Sequence, residues 1–155
     1  MTVAIRIQAG DFDVAAETAA LTQDRADIGA VVAFTGLCRD EGGRLAALEL
    51  EHYPNMAEAE VARVVEEARR RWPLAGVTVI HRHGTIAPGQ NIVLVLTAST
   101  HRQAAFEAAA FLMDFLKTRA PFWKREHLTD GSVGDWVEAQ GEDAAAAERW
   151  AVSSS

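Results

Sequence analysis

The chain has 155 residues, of which 49% are apolar and 24% charged, and its net charge is -7. Those proportions suit one globular domain that buries its own core, and the acidic balance excludes a broad basic face for nucleic acid or anionic membrane. The single cysteine, Cys38, excludes an intrachain disulfide and a CxxC zinc pair.

The opening residues alternate, with Val3, Ile5 and Ile7 on one face, which predicts a short strand. That early alternation breaks up the continuous apolar run of a signal peptide. No stretch nears the ~18 apolar residues of a membrane span, so a soluble, cytoplasmic protein is expected. Asp11 or Asp13 can cap a short helix reaching about Leu21. Residues 28–37 are apolar nearly throughout and rich in β-branched side chains, which predicts a buried strand. Arg39 to Arg44 reads as a turn. The next strand, Leu45 to Tyr53, has Leu48, Leu50 and His52 on one face and Glu49, Glu51 and Tyr53 on the other.

Pro54-Asn55 opens a long helix that runs to about Trp72 and is stopped by Pro73. Met56, Ala59, Val61, Val64, Val65 and Ala68 form its expected apolar side, with Glu66 and Arg70 as an exposed pair. Val77 to His83 and Ile92 to Ala98 read as a hairpin around Pro88-Gly89-Gln90-Asn91. A second long helix spans about Ser99 to Thr118, and Ala120 before Pro121 leaves helical geometry. Phe122 to Leu128 and a segment around Gly134 are predicted strands, and Glu142 to Trp150 a terminal helix. The expectation is an α+β fold with a mixed, mainly antiparallel sheet and two long helices. It forms one domain over residues 1–150, with a disordered tail at 151–155.

The segment Lys117-Thr-Arg-Ala-Pro-Phe-Trp-Lys-Arg-Glu126 departs from this ordinary pattern, because four cations fall within nine residues of an acidic chain. Lys117 alone is explained as a last-turn lysine at the negative end of a helix dipole. Lys124 is not, because in an extended segment it shares a face with Phe122 and is expected to be withdrawn from water. Two lysines turned toward one pocket by Pro121 would suit acid-base or nucleophilic chemistry, since desolvation and neighbouring cations lower a lysine pKa.

At the other end of the same helix, Ser99-Thr100-His101-Arg102 combines unpaired backbone N–H groups, a positive dipole end and two basic side chains, which suits an anion. Arg39, beside Cys38, is a further candidate clamp for phosphate or carboxylate. From His101 to Lys117 is 16 residues, or about 24 Å of helix. One small reaction centre cannot touch both ends, which predicts a homodimer whose shared pocket takes groups from two chains.

Weaker signals are set aside. His81 and His83 lie on one strand face without a third metal ligand. His52 reads as a half-buried, hydrogen-bonded histidine, and Cys38 as a buried structural thiol. Trp72, Trp123, Trp136 and Trp150 read as packing or interface residues. There is no glycine-rich phosphate loop, GxSxG elbow or HExxH pair.

Several strings recur together: Phe34-Thr35-Gly36 with Arg39, Leu50-Glu51-His52-Tyr53-Pro54, Arg71-Trp72-Pro73-Leu74, Val79-Ile80-His81-Arg82, His101-Arg102 and Lys117 to Glu126. In this order they resemble the large, catalytic subunit family of molybdopterin synthase, over residues 28–126. The resemblance implies an α/β hammerhead fold and a dimer of large subunits. Each would bind a small ubiquitin-like sulfur carrier, giving a heterotetramer. It further implies sulfur transfer from the carrier's C-terminal thiocarboxylate to cyclic pyranopterin monophosphate, forming the dithiolene of molybdopterin without a resident cofactor or metal.

Carried over by motif, Lys117 and Lys124 would be catalytic, while Arg39, His101, Arg102, Arg125 and Glu126 would line the substrate site together with Leu37 and Cys38. Leu37-Cys38 stands where family members can carry a lysine, and the loop after Arg39 is short. A non-catalytic adaptor that grips a ubiquitin-like tail is the alternative from another class. A general phosphate-ester or acyl transferase is the enzymatic one.

Overall fold

The two most apolar strands form the centre of the molecule, and everything else is arranged around them. In the computed structural model, which describes residues 1–119, 121–138 and 150, they are β4 (Leu74–Arg82) and β6 (Asn91–Ser99). They pair antiparallel, with Val79 opposite Val95. β1 (Thr2–Gln8) adds parallel to β4, and β2 (Ala30–Leu37) adds antiparallel to β6, in the order β1-β4-β6-β2.

Successive side chains of the central strands point to opposite faces, and both faces are covered. On one side Val77, Val79, Val93 and Val95 meet α2 (Met56–Arg71) and α3 (Arg102–Thr118) through Val61, Val65, Phe111 and Leu112. On the other side Ile80, Leu94 and Leu96 meet Leu21 of α1 (Val14–Thr22). Asp13 caps α1, accepting a hydrogen bond from the Ala16 N–H, so the aspartate reading at that helix start is borne out.

The hairpin between the central strands is interrupted. After β4 the chain turns at Gly84, where φ is +93°, into β5 (Gly84–Ile86). β5 pairs with β3 (Leu45–His52) rather than with its own hairpin. β3 also pairs with β7 (Phe122–Leu128), and β7 with β8 (Val137–Glu138), which gives a second four-stranded sheet β5-β3-β7-β8. Two mostly antiparallel sheets therefore replace the single sheet expected. Cys38, Leu45, Leu50 and Ile86 form a small core at the second sheet.

Other expectations need correction. β2 is an edge strand, and its apolar run is not fully buried: Phe34 is 41% and Leu37 53% exposed. α2 buries Ala57 rather than Met56 or Ala59, both of which are exposed. Its charges pair as Glu66 with Arg69 and Glu67 with Arg70 and Arg71, not as Glu66 with Arg70. The strand expected around Gly134 shrinks to β8, with one bridge between His127 and Val133. The expected helix at 142–150, apart from Trp150, and the tail at 151–155 lie outside the described residues. Trp150 packs edge-on against Trp72 and Phe111, and its indole N–H donates to Asp114.

Candidate functional site

α3 ends because Phe111, Leu112, Phe115 and Leu116 complete its buried stripe and Pro121 forbids further helix. Lys117 therefore emerges in the last turn, on the side away from the core. Arg119 follows at the C-cap, its guanidinium 4.7 Å from the centre of the Phe115 ring. The chain then enters β7, whose register with β3 sets Phe122 opposite His52 and Lys124 opposite Leu50.

That register brings the two lysines to one pocket of about 150 Å³, whose walls also include His81, Phe122, Leu37 and Phe34. The pocket is apolar at its walls and cationic at one side. An extended, anion-terminated chain would place its backbone against the apolar walls and its charge against the lysines. Both lysine side chains are exposed, so the expected withdrawal of Lys124 from water is not seen in the single chain. Residue 124 points out from the second sheet at the pocket rim rather than into a core.

The remaining sequence-derived candidates separate. Leu37 lines the pocket, whereas Cys38 is buried at 3% exposure in the small core below it. Burial pushes the Cys38 thiol pKa up, with the nearby Asp40 charge adding to the effect, so it is a structural thiol rather than a nucleophile. Arg39 is exposed and pairs with Glu41. Glu126 is exposed, two residues along β7 from Lys124 and on the same strand face. Arg125 lies on the opposite face of β7. Its Nε donates to Glu49 Oε1 at 2.8 Å, and its guanidinium sits 4.4 Å from the Trp136 ring centre. Glu49 also meets His127 Nε2 at 2.8 Å, and these two partners hold its carboxyl below the usual range, His127 more strongly than Arg125.

His101 and Arg102 sit at the far end of α3, and both are exposed. Among the described residues no side chain caps this helix start. Ser99 instead donates to the Pro73 carbonyl from within β6, and Thr100 to the Asp27 carbonyl. The first-turn N–H groups of α3 are thus left for another acceptor. α3 is unbroken over its 17 residues, so these two basic groups are not brought to the lysine pocket of the same chain.

Sequence reasoning missed the pocket role of His81, noted there as half of a metal pair and within one of the family strings. Among the described residues no group of three metal-binding side chains converges. The usable signal was parity: His81 shares its strand face with the core residues Val77 and Val79, and a histidine at such a position needs a polar reason. His52 is half-buried, as expected, but it meets rings, the His83 ring at 4.7 Å and the Phe122 ring at 6.2 Å.

Comparison with known proteins gives concordant matches. The family model described as MoaE protein matches residues 7–119. The molybdopterin synthase catalytic subunit of Mesorhizobium japonicum is 72% identical over 150 residues, covering 97% of this chain and 94% of that protein. The subunit of the same name from Escherichia coli is 55% identical over 129 residues, covering 82% and 85%. Among solved structures, a molybdopterin biosynthesis MoaE protein from Burkholderia ambifaria superposes with a TM-score of 0.83 at 46% identity, covering 97% of this chain and 99% of its own. A molybdopterin synthase from Staphylococcus aureus superposes with a TM-score of 0.76 at 29% identity, covering 88% and 96%.

Proposed function

The chain belongs to the MoaE family, the sulfur-transferring catalytic subunits of molybdopterin synthase in molybdenum cofactor biosynthesis, and on that premise we propose how its pocket works. The sulfur donor is the C-terminal thiocarboxylate of a small ubiquitin-like carrier, and the acceptor is cyclic pyranopterin monophosphate, acted on in the cytoplasm. No resident cofactor takes part, because the carrier brings the sulfur. The single observation that carries this reading is the convergence of Lys117 and Lys124 on one narrow pocket with apolar walls.

A glycine-ended tail is slim enough to lie extended between Phe34, Leu37 and Phe122. Its terminal anion then meets Lys117, which neutralises and orients the sulfur for attack on the pterin. Lys124, at the rim, stabilises negative charge that develops on the acceptor. Arg39 and Glu126 lie two residues beyond the pocket residues Leu37 and Lys124, and their exposed side chains contact the substrate from the rim. Arg125 acts from behind, with Glu49 and Trp136 fixing the strand that carries Lys124. Cys38 shapes the floor through packing.

The phosphate is held by His101 and Arg102 of a second copy. Three features support this: the unbroken α3, its uncapped N-terminus and the exposed apolar side chains of edge strand β2. With one carrier on each copy, the working assembly is a heterotetramer.

The test is product analysis by mass spectrometry after the chain is mixed with thiocarboxylated carrier and the cyclic pterin. Wild type should consume both and form the dithiolene product. Lys117→Ala should lose at least about 100-fold in turnover while its circular dichroism is unchanged. Near-normal turnover in that variant refutes the catalytic assignment. Tight carrier binding without any product in wild type marks an adaptor.

A further inference from the structure

His81 has no task in the reaction as described, yet its surroundings are specific. Its ring is only 9% exposed and stacks on the Phe122 ring at 3.8 Å and 17°. Its Nδ1 lies 2.8 Å from the Arg82 carbonyl oxygen. A carbonyl oxygen can only accept, so Nδ1 carries the proton of the neutral ring and Nε2 keeps its lone pair. Among the described residues none, Lys117 included, is within hydrogen-bond distance of Nε2, but His81 borders the pocket that Lys117 and Lys124 also line.

Apart from the Arg82 carbonyl, the neighbours favour the neutral ring. Burial is the main cause holding the His81 pKa down at about 4, against the opposing pull of the Arg82 carbonyl, and the charges of Lys117, His52 and His83 lower it further. The Lys117 charge acts from α3, that of His52 from β3 and that of His83 from just beyond the end of β4. Phe122 of β7 covers one ring face, and the paired residues on β1 and β6 are the apolar Ile7 and Val93. A neutral acceptor is what a lysine required to stay cationic can use. A carboxylate in that place would bind the ammonium but would neutralise it and compete with the incoming anion.

We propose that His81 is a positioning residue for Lys117: when the pocket is filled, its Nε2 accepts a hydrogen bond from the Lys117 ammonium and fixes Nζ where the thiocarboxylate arrives. The proposal rests on the sulfur-transfer reading of this pocket. Lys117 has a flexible four-carbon stem and leaves a helix end, so it has little else to define its position. His81 is itself held at two points, by the Phe122 stack and the Arg82 carbonyl, and it passes that rigidity on.

Two variants separate the acceptor from the packing. His81→Gln retains an acceptor oxygen near the place of Nε2, and His81→Phe keeps a ring against Phe122 without an acceptor. Assayed with thiocarboxylated carrier and cyclic pterin phosphate, His81→Phe should lose about tenfold or more in kcat, and His81→Gln should stay within about threefold of wild type. Equal losses in the two variants overturn the proposal.

A readout independent of turnover is NMR of the imidazole nitrogens in the full chain. It should show the Nδ1-protonated tautomer at neutral pH and a His81 titration midpoint that rises in Lys117→Met. An unmoved midpoint overturns the proposal even if His81→Phe fails to fold. A moved midpoint in a wild-type background that makes no product keeps the His81–Lys117 contact and removes the sulfur-transfer reading.

Discussion

At the scale of single residues, His81 also makes the stability of the chain depend on pH. Its folded pKa of about 4 lies below the ordinary 6.5. The unfolded chain therefore takes up a proton first as pH falls. Stability is complete above pH 6.5 and is lost progressively toward pH 4, by about 3 kcal/mol in total. The depressed carboxyls enter only at the lower end of this window, where Glu49, Glu60 and Glu67 begin to lose their stabilising effect below their ordinary 4.5. Asp27, held down to about 2 chiefly by its hydrogen bonds from Arg25, loses its stabilising effect only between its ordinary 3.8 and that value. Urea denaturation at intervals from pH 7 to 5 should show a falling midpoint in wild type, and His81→Gln should flatten it. A flat wild-type profile would contradict the buried, neutral assignment.

At the scale of elements, the start of β2 and the start of α3 are fitted to each other. The Gly29 N–H donates to the Ser99 carbonyl at 3.0 Å, and a Cβ added at Gly29 would run into the Thr100 carbonyl oxygen. Because both are backbone atoms, one segment has to shift. Gly29→Ala should cost about 1–3 kcal/mol and move the turn that carries His101 and Arg102. If those residues grip the phosphate, KM for the pterin should rise more than kcat falls. Gly10→Ala, where an added Cβ meets nothing within 4 Å, is the control and should behave as wild type.

These elements also show what could be read from the chain. Central strands and long helices were legible because burial on both faces or on one stripe leaves a periodic imprint, as in residues 74–82, 91–99 and 102–118. β5 was not, because three residues carry no period and their pairing with β3 is set by the left-handed turn at Gly84. The burial of β2 was misread because an apolar edge looks like an apolar centre until its neighbours are known. In the site, the two lysines were legible as a charge anomaly. Strand alternation alone puts Arg125 on the face opposite Lys124, but its pairing with Glu49 and the role of His81 depend on cross-strand register, which composition does not encode.

At the scale of the whole molecule, the proposed site takes its sulfur-handling end from one chain and its phosphate-holding end from a second. Complementation decides this. Lys117→Ala and Arg102→Ala are each expected to be inactive as homodimers. Unfolded and refolded together, they should pair at random and recover about a quarter of wild-type sites, because each mixed dimer contains one site with both residues intact. Activity that remains at the background of the separate variants would place both residues in the same chain's site.

α3 carries an orientation as well as a length. Its buried stripe, Phe111, Leu112, Phe115 and Leu116, fixes the angle about the helix axis at which Lys117 leaves. Each residue added to a helix advances it about 1.5 Å but turns it about 100°. One residue gained or lost between Arg102 and Phe111 would hardly alter the separation of the two ends. It would swing one end more than a quarter turn away from the other. In the proposed dimer, two copies of this helix can serve a shared cavity only while that phase is kept, so the residue count of α3 would constrain the chain along with the identity of its lysine.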